Sequence, residues 1–167
     1  MSFITPLVPF AERWIITMIK ILFICHGNIC RSPMAEYICK KMAADRGVSE
    51  ELEISSAATS REEIGNGVYP PARRKLNSVG ISCDGHRARQ VTKADYDHYD
   101  YLIVMEQYNI RNLMRIIGSD PEKKVYKLLD FAGSGGDIDD PWYTGDFDTT
   151  YREIVEGLEG FFEKAVD

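Results

Sequence analysis

Positive charge is in short supply in this sequence. Lysine and arginine number 20 against 26 aspartates and glutamates, a formal net charge of −6. Nonspecific nucleic-acid binding depends on cations that neutralise phosphates, so a nucleic-acid partner is not expected. A local basic site is still compatible with that total. Long apolar runs are also missing, and nothing approaches the ~20 residues that a membrane-spanning helix needs. Histidine is scarce: the three copies, His26, His86 and His98, are scattered. No C-x-x-C pair occurs, so zinc-ligand spacing is absent and no metal is expected. The four cysteines, Cys25, Cys30, Cys39 and Cys83, are unevenly spaced. A chain of 167 residues can build a core without staples. The cysteines therefore read as reduced thiols of a cytoplasmic protein. Neither a repeat nor a low-complexity tract is present. At 44% hydrophobic and 28% charged residues the composition is ordinary for a globular chain, which excludes a disordered one.

Residues 1–17 (MSFITPLVPFAERWIIT) stand apart from the rest of the chain. Pro6 and Pro9 break their apolar character, Glu12 and Arg13 interrupt it, and no basic segment opens it. That is a poor signal peptide and too short a membrane span. The segment reads as an N-terminal extension, either a tail ahead of a start at Met18 or an accessory arm. Residues 18–167 read as one domain.

Within that domain the pattern is regular. Ile19–Cys25 (IKILFIC) is a continuous apolar run of strand length, the mark of a strand covered on both faces. Ser32-Pro33 reads as an N-cap with proline at the first helical position. Met34, Ile38 and Met42 then recur at helical spacing to about Asp45, and Gly47 closes the helix. Leu52–Ser56 is a second strand, and residues 57–70 are a loop. A short helix comes next, from Pro71 to Val79, ended by Gly80. Tyr101–Met105 is a third strand, Gln107–Ile117 a helix ended by Gly118, and Lys124–Leu129 a fourth strand. A long Gly- and Asp-rich loop over 131–147 leads to a last helix from about Thr150 to Val166. Thr150 and Glu153 have capping-box spacing there, and Ile154, Leu158, Phe161 and Phe162 form a core stripe. Such alternation predicts an α/β domain, a four-stranded parallel sheet with helices on both faces. Ligands bind beyond the carboxyl ends of the strands in such sheets.

Cys25-His26-Gly27-Asn28-Ile29-Cys30-Arg31-Ser32 joins the first strand to the first helix. Backbone N–H groups at such a turn face inward and bind anions, and the helix dipole adds to them. A cysteine there is favoured as thiolate. Arg31, six residues on, can bring a planar fork over the same point, and Ser32 can donate to the sulfur. Gly27 permits close backbone approach, and Asn28 tolerates a left-handed conformation. Together they fit a thiolate attacking a phosphorus held by N–H groups and a guanidinium. C-x5-R alone is a weak motif. The preceding strand, the serine and proline after the arginine and the internal G-N make it specific.

The run ILFICHGNICRSPMAE closely resembles the signature of low-molecular-weight protein tyrosine phosphatases. SSAATS at 55–60, HRARQVT at 86–92, YLIVM at 101–105 and DDPWY at 139–143 extend the resemblance, in order, from about Met18 to the C-terminus. The resemblance implies Cys25 as nucleophile, Arg31 as phosphate-binding arginine, and Asp140, directly before Pro141, as general acid. It implies His26, Gly27, Asn28, Ile29, Cys30 and Ser32 as the phosphate-binding loop, His26 at the rim. Ser56 and His86 join Asn28 and Ser32 in a supporting hydrogen-bonded shell, with His86 structural rather than acid or base. Trp142 and Tyr143 flank the entrance and select a flat aryl phosphate; packing of their loop against the domain is the competing reading. In relatives with this cysteine pair, Cys30 forms a reversible disulfide with the nucleophile. The implied partners are phosphotyrosine proteins and a cognate tyrosine kinase, with the chain a monomer or weak dimer away from membranes. No cofactor is implied, because Arg31 and the loop N–H groups supply the charge.

The sequence also departs from the pattern. Glu62 and Glu63 replace a bulky apolar residue near the entrance, and Glu63 there favours basic peptides. Glu106 stands where relatives usually carry aspartate, which alters a local contact. Two enzymes share fold and loop. Thioredoxin-coupled arsenate reductase needs two further relay cysteines, and only Cys83 lies near such a region. Protein arginine phosphatase carries threonine at the position of Ile29. A phosphate-binding module without turnover would lose Cys25 or Asp140, and both are present.

Overall fold

A computed structural model describes residues 17–167. The expected extension over 1–17 lies, Thr17 apart, outside the described residues. Four strands, β1 (Ile19–Cys25), β2 (Leu52–Ala58), β3 (Tyr101–Val104) and β4 (Val125–Lys127), form one sheet in the order β2-β1-β3-β4. All three pairings are parallel, with Cys25 opposite Ala58 and Ile24 opposite Val104. The helices are α1 (Arg31–Asp45), α2 (Pro70–Ser78), α3 (Lys93–His98), α4 (Gln107–Ile117), α5 (Pro141–Thr144) and α6 (Phe147–Phe161), the last running on as a π-helical turn over Phe162–Val166.

The two-residue period of β1 explains both layers. Ile21, Phe23 and Cys25 point into a core with Met34, Ile38, Leu76, Ile154, Leu158 and Phe161. Leu22 and Ile24 point the other way, against Val91, Tyr96, Leu113 and Ile117. So α1, α2 and α6 cover one face, and α3 and α4 the other. Each fully buried aliphatic or aromatic side chain contributes about 1.5–3 kcal/mol, so the apolar run of β1 fixes its central place. The expected stripe of α6 is buried: Ile154, Leu158, Phe161 and Phe162 are all 0% exposed. Among the described residues no helix is long and apolar enough to cross a membrane.

Several boundaries differ from the sequence reading. Helix α1 begins at Arg31, with Cys30 in the cap position and Pro33 third. Ser32 does not cap: its hydroxyl faces Cys25 Sγ instead. Pro33 is tolerated because the first N–H groups of a helix have no internal partner. Strand β2 runs two residues further, to Ala58, because β1 offers pairing as far as Cys25. Strand β4 is shorter than expected, and Leu128–Asp130 turns as 3₁₀ helix. Helix α3 has no counterpart in the sequence reading, although Thr92 and Asp95 form its capping box. Helix α6 starts at Phe147, where Asp146 accepts from Thr149 N at 2.9 Å. Thr150 is inside that helix, and its hydroxyl donates to the Asp146 carbonyl at 3.1 Å.

Candidate active site

The carboxyl end of β1 opens between β2 and β3, and residues 26–30 turn there into α1. The turn needs a left-handed residue, and Asn28 supplies it at φ 60°. The Asn28 N–H and the Ser32 N–H then point at Cys25 Sγ, at 3.3 and 3.4 Å. Ser32 Oγ lies 3.0 Å from the same sulfur. Three hydrogen-bonding groups therefore converge on one buried sulfur at a helix N-terminus, a setting that favours negative charge.

The Asn28 side chain holds the turn in place. Its Nδ2 donates to Ser32 Oγ at 2.8 Å and to Ser56 Oγ at 2.9 Å, and its Oδ1 accepts from Arg89 N at 3.2 Å. His86 Nε2 lies 2.8 Å from the Asn28 carbonyl. A carbonyl only accepts, so His86 donates through Nε2 and its role there is structural. Asn28, Ser32, Ser56 and His86 are thus brought together behind the sulfur.

Arg31 is 1% exposed, yet it is charged. Its Nη1 donates to Glu106 Oε2 and to the Ile138 carbonyl, both at 2.8 Å. Its Nη2 lies 3.4 Å from Asp140 Oδ2. Burial works against the charge, but the Cys25 sulfur, Asp140 and Glu106 outweigh it and hold the guanidinium above its ordinary range. Asp140 caps α5, its Oδ1 accepting from Trp142 N at 3.1 Å, with Pro141 at the first helical position. The cap fixes the loop that carries Asp140 toward Arg31 and Trp142-Tyr143 toward the rim.

Cys25, Arg31 and Asp140 line one pocket of about 140 Å³ with His26, Gly27, Ile29, Cys30, Glu63, Trp142 and Tyr143. Trp142 leans on Tyr69 at 4.6 Å between ring centroids. Tyr143 is 85% exposed, so it is a free wall and not a packing residue. Glu63 accepts from Asn66 Nδ2 at 2.6 Å. Its Cγ stands 3.4 Å from where a side chain on Gly27 would begin, an ordinary contact distance. His26 meets Glu62 at 3.1 Å at the mouth. A wider groove of about 550 Å³, lined by Glu62, Glu106, Tyr108 and Asp139, opens beside the pocket.

Burial, then the neighbouring Cys25 and Asp140, pushes the Cys30 thiol well above its usual range. Cys39 and Cys83 lie in the main core, and burial pushes Cys39 up to about 12. Neither lines the pocket with Cys25, so the thiol relay of an arsenate reductase is not assembled there. Among the described residues no group of three or more His, Cys, Asp or Glu is arranged to hold a metal ion.

Sequence reasoning missed three parts of this site. Glu106 is noticed as a departure, but its partner Arg31 is not. The Ile138 carbonyl is a backbone group that no side-chain motif signals. Glu36, buried in α1, accepts from Ser56 Oγ at 2.6 Å. Its only sequence signal is an acid two residues ahead of Ile38 on a largely buried helix.

The family model for "Low molecular weight phosphotyrosine protein phosphatase" matches residues 20–167. The chain is 40% identical over 144 residues to the low molecular weight protein-tyrosine-phosphatase YfkJ of Bacillus subtilis, covering 85% of this chain and 92% of that one. It is 39% identical over 158 residues to the human low molecular weight phosphotyrosine protein phosphatase, covering 87% and 95%. The crystal structure of YfkJ superposes with a TM-score of 0.85 at 37% identity, over 90% of this chain and 98% of that one. By fold, by the match over nearly all of the described residues and by the architecture of its pocket, the chain belongs to the low molecular weight phosphotyrosine protein phosphatase family.

Proposed function

We propose that this phosphatase hydrolyses phosphotyrosine, and small aryl phosphates, through a cysteinyl-phosphate on Cys25. The observation that carries the reading is the convergence of two N–H groups and one hydroxyl on Cys25 Sγ, in the pocket that also holds Arg31 and Asp140. The Cys25 thiolate attacks phosphorus, forming the S–P bond as the P–O bond to the phenol breaks. Arg31 and the loop N–H groups take the phosphoryl oxygens, where charge is greatest in the transition state. Glu106 and the Ile138 carbonyl keep the guanidinium aimed while Nη2 exchanges Asp140 for phosphate. Asp140, released from that contact and protonated by solvent before the transfer, gives that proton to the departing phenolate oxygen. As carboxylate it then takes a proton from water, which attacks phosphorus and displaces the thiolate. The Ser32 hydroxyl donates to that thiolate as it leaves.

Ile29, Trp142 and Tyr143 give the pocket flat apolar walls that suit an aryl ring, which supports a tyrosine ester over phosphoarginine. Arg31 and the loop amides supply the positive charge, so the mechanism asks for no metal or other cofactor. Partners are phosphotyrosine proteins and the kinase that makes them, and the chain acts as a monomer or weak dimer. All four cysteines are free and buried, and a thiol nucleophile needs a reducing compartment, which supports a cytoplasmic site. The test is p-nitrophenol release from p-nitrophenyl phosphate, with EDTA and dithiothreitol present. Turnover is expected in the wild type, none in Cys25→Ser, and a loss of ~10²-fold or more in Asp140→Ala. A wild type without turnover when freshly reduced overturns the reading.

A further inference from the structure

Behind the pocket a line of hydrogen bonds crosses the core from the surface to the sulfur. Lys40 Nζ, on the exposed side of α1, donates to Glu36 Oε2 at 2.5 Å. Glu36 Oε1 accepts from Ser56 Oγ at 2.6 Å. Ser56 Oγ accepts from Asn28 Nδ2 at 2.9 Å, and the same Nδ2 donates to Ser32 Oγ at 2.8 Å. Ser32 Oγ then stands 3.0 Å from Cys25 Sγ, nearer than the Ala57 carbonyl at 3.5 Å.

Counting protons orders this line. A carboxylate only accepts, so the single proton of Ser56 goes to Glu36 and Ser56 offers Asn28 a lone pair. Both Asn28 amide protons are then committed, one to Ser56 and one to Ser32. Ser32, having accepted, has its own proton left for the sulfur. Arg89 N, on Asn28 Oδ1, holds the same amide from its other end. Glu36 is 7% exposed and belongs to a helix whose neighbouring side chains are core. A buried carboxylate is costly unless paired, and here its pairing partners are Lys40 and the line to the sulfur.

We infer that Glu36 is a positioning residue for Cys25: through Ser56 it anchors the Asn28 amide, and so keeps the Asn28 N–H and the Ser32 hydroxyl aimed at the sulfur. The inference rests on the reading of Cys25 as the nucleophile, and its test does not depend on turnover. Alkylation of Cys25 by iodoacetamide at pH 6 reports how much of the sulfur is thiolate, with the modified residue identified by mass spectrometry. Glu36→Gln preserves volume and removes the charge. It is expected to slow alkylation about threefold or more, by weakening hydrogen bonds to the thiolate. It is also expected to lower kcat for p-nitrophenyl phosphate more than it raises KM. A purely structural role predicts the reverse, because a loosened loop exposes the sulfur and speeds alkylation. A double-mutant cycle with Ser56→Ala separates the two further. In one connected line the double variant behaves like Ser56→Ala alone, whereas independent roles add. Should Glu36→Gln not fold, Glu36→Asp withdraws the oxygens from Ser56 by one methylene and carries the same expectation. Alkylation at or above the wild-type rate, or additive effects in the cycle, overturns the proposal. Loss of wild-type turnover with slowed alkylation in Glu36→Gln would instead sink the catalytic reading and leave the positioning role standing.

Discussion

Arg31 is the residue on which most of the site converges, because a guanidinium that is 1% exposed must satisfy its donors inside the protein. Glu106 takes one of them at 2.8 Å and is itself only partly shielded. Glu106→Ala is expected to lower stability by about 2 kcal/mol or more, since it leaves a buried charge short of a partner. A urea titration measures that loss, and inorganic phosphate should inhibit the variant more weakly than the wild type. An unchanged inhibition constant would mean that Ile138 and Asp140 aim the arginine unaided. Cys30 invites a different experiment. Burial pushes its thiol well above the usual range, so the disulfide that the resemblance implies would form only once Cys25 is oxidised to a sulfenic acid, the Cys30 sulfur displacing water. Peroxide-treated wild type should recover its turnover in dithiothreitol, while Cys30→Ser, which cannot make the bond, should pass to irreversible oxidation. Equal recovery would remove Cys30 from this role. Glu63 is a matter of specificity: Glu63→Ala should reduce any preference for phosphopeptides with lysine or arginine beside the phosphotyrosine. A peptide panel that ranks identically for both proteins would count against it.

The elements are placed by devices that can be tested singly. Helix α6 carries Gly157 and Gly160 in its interior, where glycine costs ~1 kcal/mol relative to alanine. The reason is close approach. A side chain on Gly157 would begin 2.6 Å from Leu128 Cγ, and one on Gly160 would fall on the Phe131 carbonyl oxygen. Gly160→Ala should therefore lower Tm despite its better helix propensity, by ~1–3 kcal/mol of overpacking, and calorimetry would show it. A rise in Tm would mean that the segment after β4 yields freely. Helix α3 is tied to the site through one ion pair. Asp95 accepts from Arg89 Nη1 and Nη2 at 2.9 and 3.1 Å and from Thr92 N at 2.7 Å, and Arg89 N holds Asn28. Burial opposes the Asp95 charge, but these hydrogen bonds outweigh it and keep its carboxyl below the usual range. A depressed carboxyl favours the folded state while it is ionised. That contribution is present above the ordinary carboxylate range and is lost as pH falls through the depressed value. Tm should thus fall on acidification, and Asp95→Asn should fall less steeply while starting lower at neutral pH.

At the scale of the molecule, the sheet order β2-β1-β3-β4 puts β1 at the centre and its carboxyl end at the rim between two neighbours. Loops from β1 and from the segment after β4 therefore meet over one point, though Cys25 and Asp140 are far apart in sequence. Among the described residues, β1 pairs only within residues 19–104. A chain that starts at Met18 is expected to keep the wild-type Tm and turnover. A clear fall in either would assign residues 1–17 a part in the fold or the site.

Much was legible in the residues because it depends on local physics. The apolar run IKILFIC reads as a strand covered on both faces, and strand-helix alternation then points to a parallel sheet. The segment from Cys25 to Ser32 announces an anion-binding turn, since glycine, asparagine and arginine at those spacings serve little else, and resemblance supplied Asp140, Ser56 and His86. The sequence offered Ser32 both as a helix cap and as a donor to the sulfur; the closed turn decides for the sulfur, with Asn28 donating to the same hydroxyl. The sequence alone could not show α3, whose six residues carry too short a period to register. Glu106, the Ile138 carbonyl and Glu36 became partners of the site only through packing. Local sequence specifies backbone conformation and which faces must be buried. Which distant carboxylate reaches a buried guanidinium or a buried serine is decided by the register of the sheet and the seating of α1 upon it.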